Sequence, residues 1–172
     1  MGKKREINVF TVIIDTREQC PVLHGKAGSP GFQDIKTEWG TLKTGDYSIL
    51  GMSDPDTCEH SITIERKSLP DLFGSTGRDR DRFERECQRM AKFDHAEIVI
   101  EGDLKTIFTN PPAASAMLPK SVYRTLLAFC QRYGIKIWPC PNRTFAERHI
   151  YLTLKRFYED RLPNGKMEFA KI

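Results

Sequence analysis

Residues 62–71 read Ile62-Thr63-Ile64-Glu65-Arg66-Lys67-Ser68-Leu69-Pro70-Asp71. The stretch changes character at Ser68. Before it comes the β-branched run Ile62-Thr63-Ile64, the signal of a strand. After it, Ser68 can cap a helix, Pro70 sits in the first turn where its missing N–H costs nothing, and Asp71 favours the positive end of the dipole. On the strand alternate residues share a face. Thr63, Glu65 and Lys67 therefore point one way and Ile62, Ile64 and Arg66 the other. Glu65 and Lys67 stand about 6–7 Å apart along the chain on one face. They are either a solvated ion pair, which is worth little, or part of a reactive site that needs further carboxylates.

Working outward, Ile7–Ile14 is a strand closed by Asp15. The breaker-rich run 20–31 is an exposed loop. Residues 33–39 and 41–50 read as a hairpin about Gly40, and Ser61–Lys67 as the next strand. A short helix is expected from about Leu69 to Gly74 and a longer one from Arg78 to Phe93. Ala96–Ile100 is a strand, 109–119 a loop with three prolines, and Pro119–Tyr133 a helix with Val122, Leu126, Phe129 and Tyr133 on one face. Ile135–Trp138 is a short strand. Thr144-Phe145-Ala146-Glu147 reads as a capping box for a last helix that turns Ile150, Leu154 and Phe157 inward. Strands alternating with helices give an α/β fold, a central mixed β-sheet flanked by helices, in one domain over 1–172 with its core at about 7–160 and a tail at 161–172.

Other acids stand at expected strand ends. Asp15 begins Asp15-Thr16-Arg17-Glu18, and Asp46 lies in Thr44-Gly45-Asp46-Tyr47, where Gly45 permits a bend. Carboxylates converging from several strands repel one another unless a cation lies between them. Mg²⁺ suits such a site because it takes oxygen ligands and keeps several waters. A lysine beside it can hold the attacking water or stabilise transition-state charge. Taken alone, an Asp followed 19 positions later by Glu-x-Lys recurs by chance.

The longer series is specific. Asp15-Thr16-Arg17-Glu18, Gly45-Asp46-Tyr47 and Glu65-Arg66-Lys67-Ser68-Leu69-Pro70-Asp71-Leu72, with Phe73-Gly74-Ser75 and the strand Ile98-Val99-Ile100-Glu101-Gly102 beyond, resemble the XPF-type structure-specific nuclease family over about residues 9–160. The resemblance implies a restriction-endonuclease-like core and a DNA endonuclease, dependent on Mg²⁺ or Mn²⁺, that cuts branched, flap or fork DNA in repair, recombination or replication. It implies catalytic Asp15, Asp46, Glu65 and Lys67. Metal ligands would be Asp15, Glu18, Asp46 and Glu65, with the Arg66 carbonyl completing the shell. Arg17 and Arg66 would contact phosphate or brace the acids, and Asp71 would start the helix and hold the basic groups in place. The helix-hairpin-helix module common in the family is not expected within these residues. The chain resembles stand-alone phage and bacterial forms, with residues 119–133 and 144–160 as a face for a homodimer or partner subunit. The alternatives are a catalytically silent DNA-binding or partner-anchoring module, and a nickase or single-strand nuclease.

Arg78, Arg82, Arg85 and Arg89 fall within a stripe about 60° wide on a helix, with Phe83, Cys87 and Met90 opposite. Interleaved acids make an ion-paired, solvated face an equal reading, and the resemblance tips the stripe toward DNA backbone. His24, His60, His95 and His149 are expected in loops or on a helix surface, and Trp39 and Trp138 in core or strand-edge packing.

Composition sets the outer bounds. The 172 residues are 39% hydrophobic and 29% charged with net charge +4, which excludes disorder throughout and permits but does not require a nucleic-acid partner. No apolar run approaches the ~20 residues of a membrane span, and the N-terminus lacks the features of a signal peptide. Five cysteines without a C-x-x-C pair argue against a disulfide framework or zinc ribbon and for a reducing cytoplasm.

Overall fold

In the computed structural model, residues 9–161 are described. Six strands form one sheet in the order β2-β1-β3-β4-β5-β6: β1 (Phe10–Asp15), β2 (Ile35–Gly40), β3 (Tyr47–Ile49), β4 (Ile62–Ser68), β5 (His95–Glu101) and β6 (Lys136–Cys140). The helices are α1 (Leu69–Thr76), α2 (Arg80–Met90), α3 (Leu104–Thr109), α4 (Pro119–Tyr133) and α5 (Arg143–Glu159). The sheet is mixed. β1 pairs parallel with β2 and antiparallel with β3, β3 pairs antiparallel with β4, and β4, β5 and β6 run parallel.

The alternation of β4 decides which layer covers which face. Ile62 and Ile64 lie with Val12, Ile14 and Val99 in a core covered by Ile150, Leu154 and Phe157 of α5. Ile98 and Ile100 belong to a second core on the opposite face, filled by Leu72 and Phe73 of α1, Phe83 and Cys87 of α2, and Val122, Leu126 and Phe129 of α4. β4 is therefore buried on both sides, as parallel strands beneath two helical layers are. Glu65 and Lys67, only 5% and 9% exposed, are not a surface pair.

The expected hairpin about Gly40 does not form. β2 pairs with β1 at one edge, while β3 crosses to lie between β1 and β4. Alternation marked both segments as strands but carried no information on partners. A further helix, α3, follows Asp103, whose side chain accepts from the Thr106 N–H. The long second helix starts at Arg80 rather than Arg78. The α5 cap is Asn142, which accepts from the Phe145 N–H at 3.1 Å, so the Thr144 capping box is replaced by an Asx cap two residues earlier. Trp39 and Trp138, each about half exposed, sit on the two edge strands. Residues 7 and 8 of the first expected strand, and the tail from 162, lie outside the described residues. Among the described residues no helix is long and apolar enough to cross a membrane.

Candidate active site

The site forms where β1 and β4 reach their C-terminal ends and the turn before β3 wedges between them. Gly45 makes the wedge possible. Its φ of +79° is the left-handed region, and a Cβ there would fall 2.1 Å from Thr63 Oγ1 and 3.0 Å from the Ile64 carbonyl oxygen. The next residue is pinned on three sides. The Asp46 N–H donates to the Ile64 carbonyl, its carbonyl accepts from the Asp15 N–H, and Asp46 Oδ2 accepts from the Arg66 N–H, each at 2.8 Å.

Asp46 thus lies beside Glu65 in a cavity of about 300 Å³. Lys67 donates to Glu65 Oε1, and its ammonium sits 4.9 Å from the centre of the Phe83 ring. Asp15 and Arg17 line the same cavity, and Arg82, Glu86 and Arg89 of α2 form its outer wall.

The charges here are under strain. Burial, above all, pushes the Asp46 carboxyl up to about 7, with the Glu18 and Glu86 charges adding to the shift and Arg66 N–H and Lys67 opposing it. Burial pushes Glu65 well above the usual carboxylate range, with repulsion from Asp46 next and Lys67 pulling the other way. For Lys67, burial works against the ammonium, but Glu65, Glu86 and Asp46 outweigh it and raise its pKa. Asp15 is different. Burial opposes its charge, yet hydrogen bonds hold its carboxyl below the usual range. Oδ1 accepts from the Arg17 N–H and Nε at 2.8 and 2.7 Å, and Oδ2 from Arg17 Nη2 and the Leu42 N–H at 2.9 and 2.7 Å. All four lone-pair sites of the carboxylate are occupied.

Glu18 and Arg66 do not join this cluster. Arg66 shares the face of Ile62 and Ile64, away from Glu65. Its Nε and Nη2 donate to the two oxygens of Glu18 at 2.9 and 2.8 Å, and Nη1 reaches Glu101 at 3.0 Å. The Cys20 N–H also donates to Glu18. Burial opposes the Glu18 charge, but these donors hold its pKa below the usual range. The structure thus places Glu18, expected among the metal ligands, as a buried partner of Arg66 outside the cavity lining, and Arg66 braces acids rather than facing the cavity. Asp71 makes a reciprocal cap with Ser68 and lies within the described residues without a basic partner.

The arginine stripe is split. Arg82 and Arg89 line the cavity, and Arg89 Nε donates to Thr44 Oγ1 at 3.3 Å. Arg85 is exposed outside it. Arg78 precedes the helix and pairs with Asp79 at 3.1 Å. Glu86, an acid between Arg82 and Arg89 on the same face, also lines the cavity and carries no motif signal in the sequence. The histidine expectation also changes. His95 opens β5, and it and His149 of α5 each approach the buried Glu97 at 3.2 Å.

The ERCC4 domain model matches residues 14–153 of the chain. The chain belongs to the ERCC4-domain family. The fold of this ERCC4 domain is also that of XPF from Aeropyrum pernix, with a TM-score of 0.63 at 22% identity over 88% of this chain and 66% of that one. XPF from Aeropyrum pernix in complex with DNA matches at 0.62 and 21% identity over the same shares. The chain thus spans about two thirds of the length of these solved chains and has their restriction-endonuclease-like sheet. No curated protein matches it.

Proposed function

We propose that this ERCC4 domain is a divalent-metal-dependent endonuclease that hydrolyses phosphodiester bonds in branched, flap or fork DNA. One observation carries the reading: buried Glu65 and half-buried Asp46 share a polar cavity with Lys67 and open toward Arg82 and Arg89. The family match and the likeness to an XPF solved with DNA support DNA as the partner.

The donor set fits Mg²⁺ or Mn²⁺. It consists of oxygen alone, and both carboxyls are raised, by burial first, then Asp46 by the Glu18 and Glu86 charges and Glu65 by Asp46, a repulsion that a dication between them relieves. Among the described residues no three His, Cys, Asp or Glu side chains form a ready-made cage. Asp46 and Glu65 would anchor a shell completed by water and substrate oxygens, as Mg²⁺ prefers. When bound, such an ion neutralises phosphate charge and acidifies water.

The chain supplies the rest. Lys67, held by Glu65 and by the Phe83 ring, would orient the attacking water and balance charge growing on the phosphate. Arg82 and Arg89 would seat the backbone on either side of the scissile phosphate. Asp15, saturated by Arg17 and Leu42, would fix Arg17 at the rim rather than bind metal itself. Exposed Leu127 on α4 and Leu152 on α5 suit a second copy or a partner subunit.

The test uses labelled flap, fork, four-way junction, duplex and single-strand DNA with Mg²⁺ or Mn²⁺. Cutting of the branched forms, abolished by EDTA and reduced at least about 10²-fold by Asp46→Asn or Glu65→Gln, is expected. Binding without cutting under every metal condition would instead make the domain a silent DNA-binding module.

A further inference from the structure

The active-site cavity does not end at Lys67. A smaller cavity of about 250 Å³ shares Lys67 and Arg82 with it and runs along α1 past Gly74 to Arg78. There it meets a third and larger cavity, about 620 Å³, between the end of α1 and the 110–118 loop. Gly74 and Arg78 line both. The three form one groove that begins at the proposed catalytic carboxylates and ends in an apolar chamber.

Two glycines shape the chamber. Gly77 seats the loop, since a Cβ on it would fall 2.6 Å from Met117 Cγ. Gly74 leaves the floor open, since a Cβ on it would meet nothing within 4 Å. Gly74 lies inside α1, where glycine costs about 1 kcal/mol relative to alanine, so helix stability does not account for the residue. The walls are Pro70, Pro112, Ala114 and Met117, and Arg78, 85% exposed at its side chain, stands at the entrance.

We infer that this chamber receives the unpaired base of a DNA strand whose phosphate occupies the active-site cavity. The inference rests on the nuclease reading above and extends it to substrate choice. An occupant continuous with a phosphate between Arg82 and Arg89 must carry its charge past Arg78 and then offer a flat, weakly polar group, as a nucleotide does. A base inside a duplex is stacked and paired, whereas one at a junction or in a flap enters at little cost. The path from Pro70 to Gly77 is about 10 Å by helical rise. That corresponds to about three stacked nucleotides, or fewer in an extended strand.

The test places 2-aminopurine at each of the three positions on either side of the junction of a flap substrate and measures binding in EDTA. At one position the wild-type protein brightens the probe by unstacking it. Gly74→Leu, which fills the floor from α1, and Ala114→Trp, which fills it from the loop, both abolish the response and weaken binding about fivefold to tenfold. An abasic nucleotide at that position weakens wild-type binding by the same factor and Gly74→Leu no further. The thermal midpoint of Gly74→Leu should be at or above wild type, which separates a filled groove from a damaged fold. Identical probe responses in wild type and both variants would overturn the proposal, even if the protein cuts DNA. If wild type cuts nothing but the response is present and lost in both variants, the chamber is a base site and the nuclease reading alone fails.

Discussion

Glu18 lies three residues past Asp15 and turns to the opposite face of the sheet. There it accepts two hydrogen bonds from Arg66 and one from the Cys20 N–H. Glu65 is as deeply buried but faces Asp46 and a single ammonium. One acid is satisfied by the protein, and the other is left with repulsion that a cation can remove. The distinction turns on which way Arg66 points, and alternation along β4 fixes that direction. The Glu18→Gln variant should therefore lose about 2–4 kcal/mol of stability in urea unfolding, because Arg66 keeps a buried charge with one acid fewer. Mn²⁺ affinity of the folded protein, measured by calorimetry, should stay within about twofold of wild type. A large loss of Mn²⁺ affinity with little change in stability would return Glu18 to the metal site.

At the scale of elements, local signals and partner choice separate cleanly. The β4–α1 step, the Gly45 bend and the inward faces of α4 and α5 were all legible, because period, capping and glycine conformation are local. The β2–β1–β3 arrangement was not, since a strand's pattern says that it pairs and not with which neighbour. Strand alternation was enough to put Glu65 and Lys67 on one face, whereas a loop decides the direction of Glu18. On α2 the later helix start takes Arg78 out of the stripe, and packing against the sheet decides the rest: Arg82, Glu86 and Arg89 line the cavity and Arg85 lies outside it. Phosphate contact should follow that geometry. The Arg82→Ala and Arg89→Ala variants should each lower the slope of log affinity against log salt by about one, while Arg85→Ala should change it less. Equal slopes in all three variants would make the helix an ion-paired, solvated face.

Across the whole molecule the sheet divides two kinds of acid chemistry. Toward α1 and α2, the cavity acids Asp46 and Glu65 are raised, while Asp15, clamped by Arg17, is lowered. Toward α5, the buried charges are paired with opposite or hydrogen-bonding partners. Glu18 pairs with Arg66, Tyr151 and Lys155 both reach Asp34, and Glu97 sits between His95 and His149. The net charge of +4 averages over this division. Acid unfolding should report the α5 side. Burial opposes the Glu97 charge, but His149 and His95 outweigh it and lower its pKa. A carboxylate lowered on folding adds stability that is complete above its unfolded value, near 4.3, and is lost as pH falls through the lower folded value. The Cys140 thiol also feels this charge and is raised, by burial first and then by Glu97, but it stays neutral throughout the acid range. The Glu97→Gln variant keeps the shape and removes the charge. It should cost about 1–3 kcal/mol at pH 6 and progressively less as pH falls below the unfolded value, so that urea midpoints of the two proteins converge in acid. Curves that remain parallel down to pH 3 would show that the histidines hold Glu97 through packing alone, as the ring contacts of His149 with Trp138 and of His95 with Phe157 would then imply.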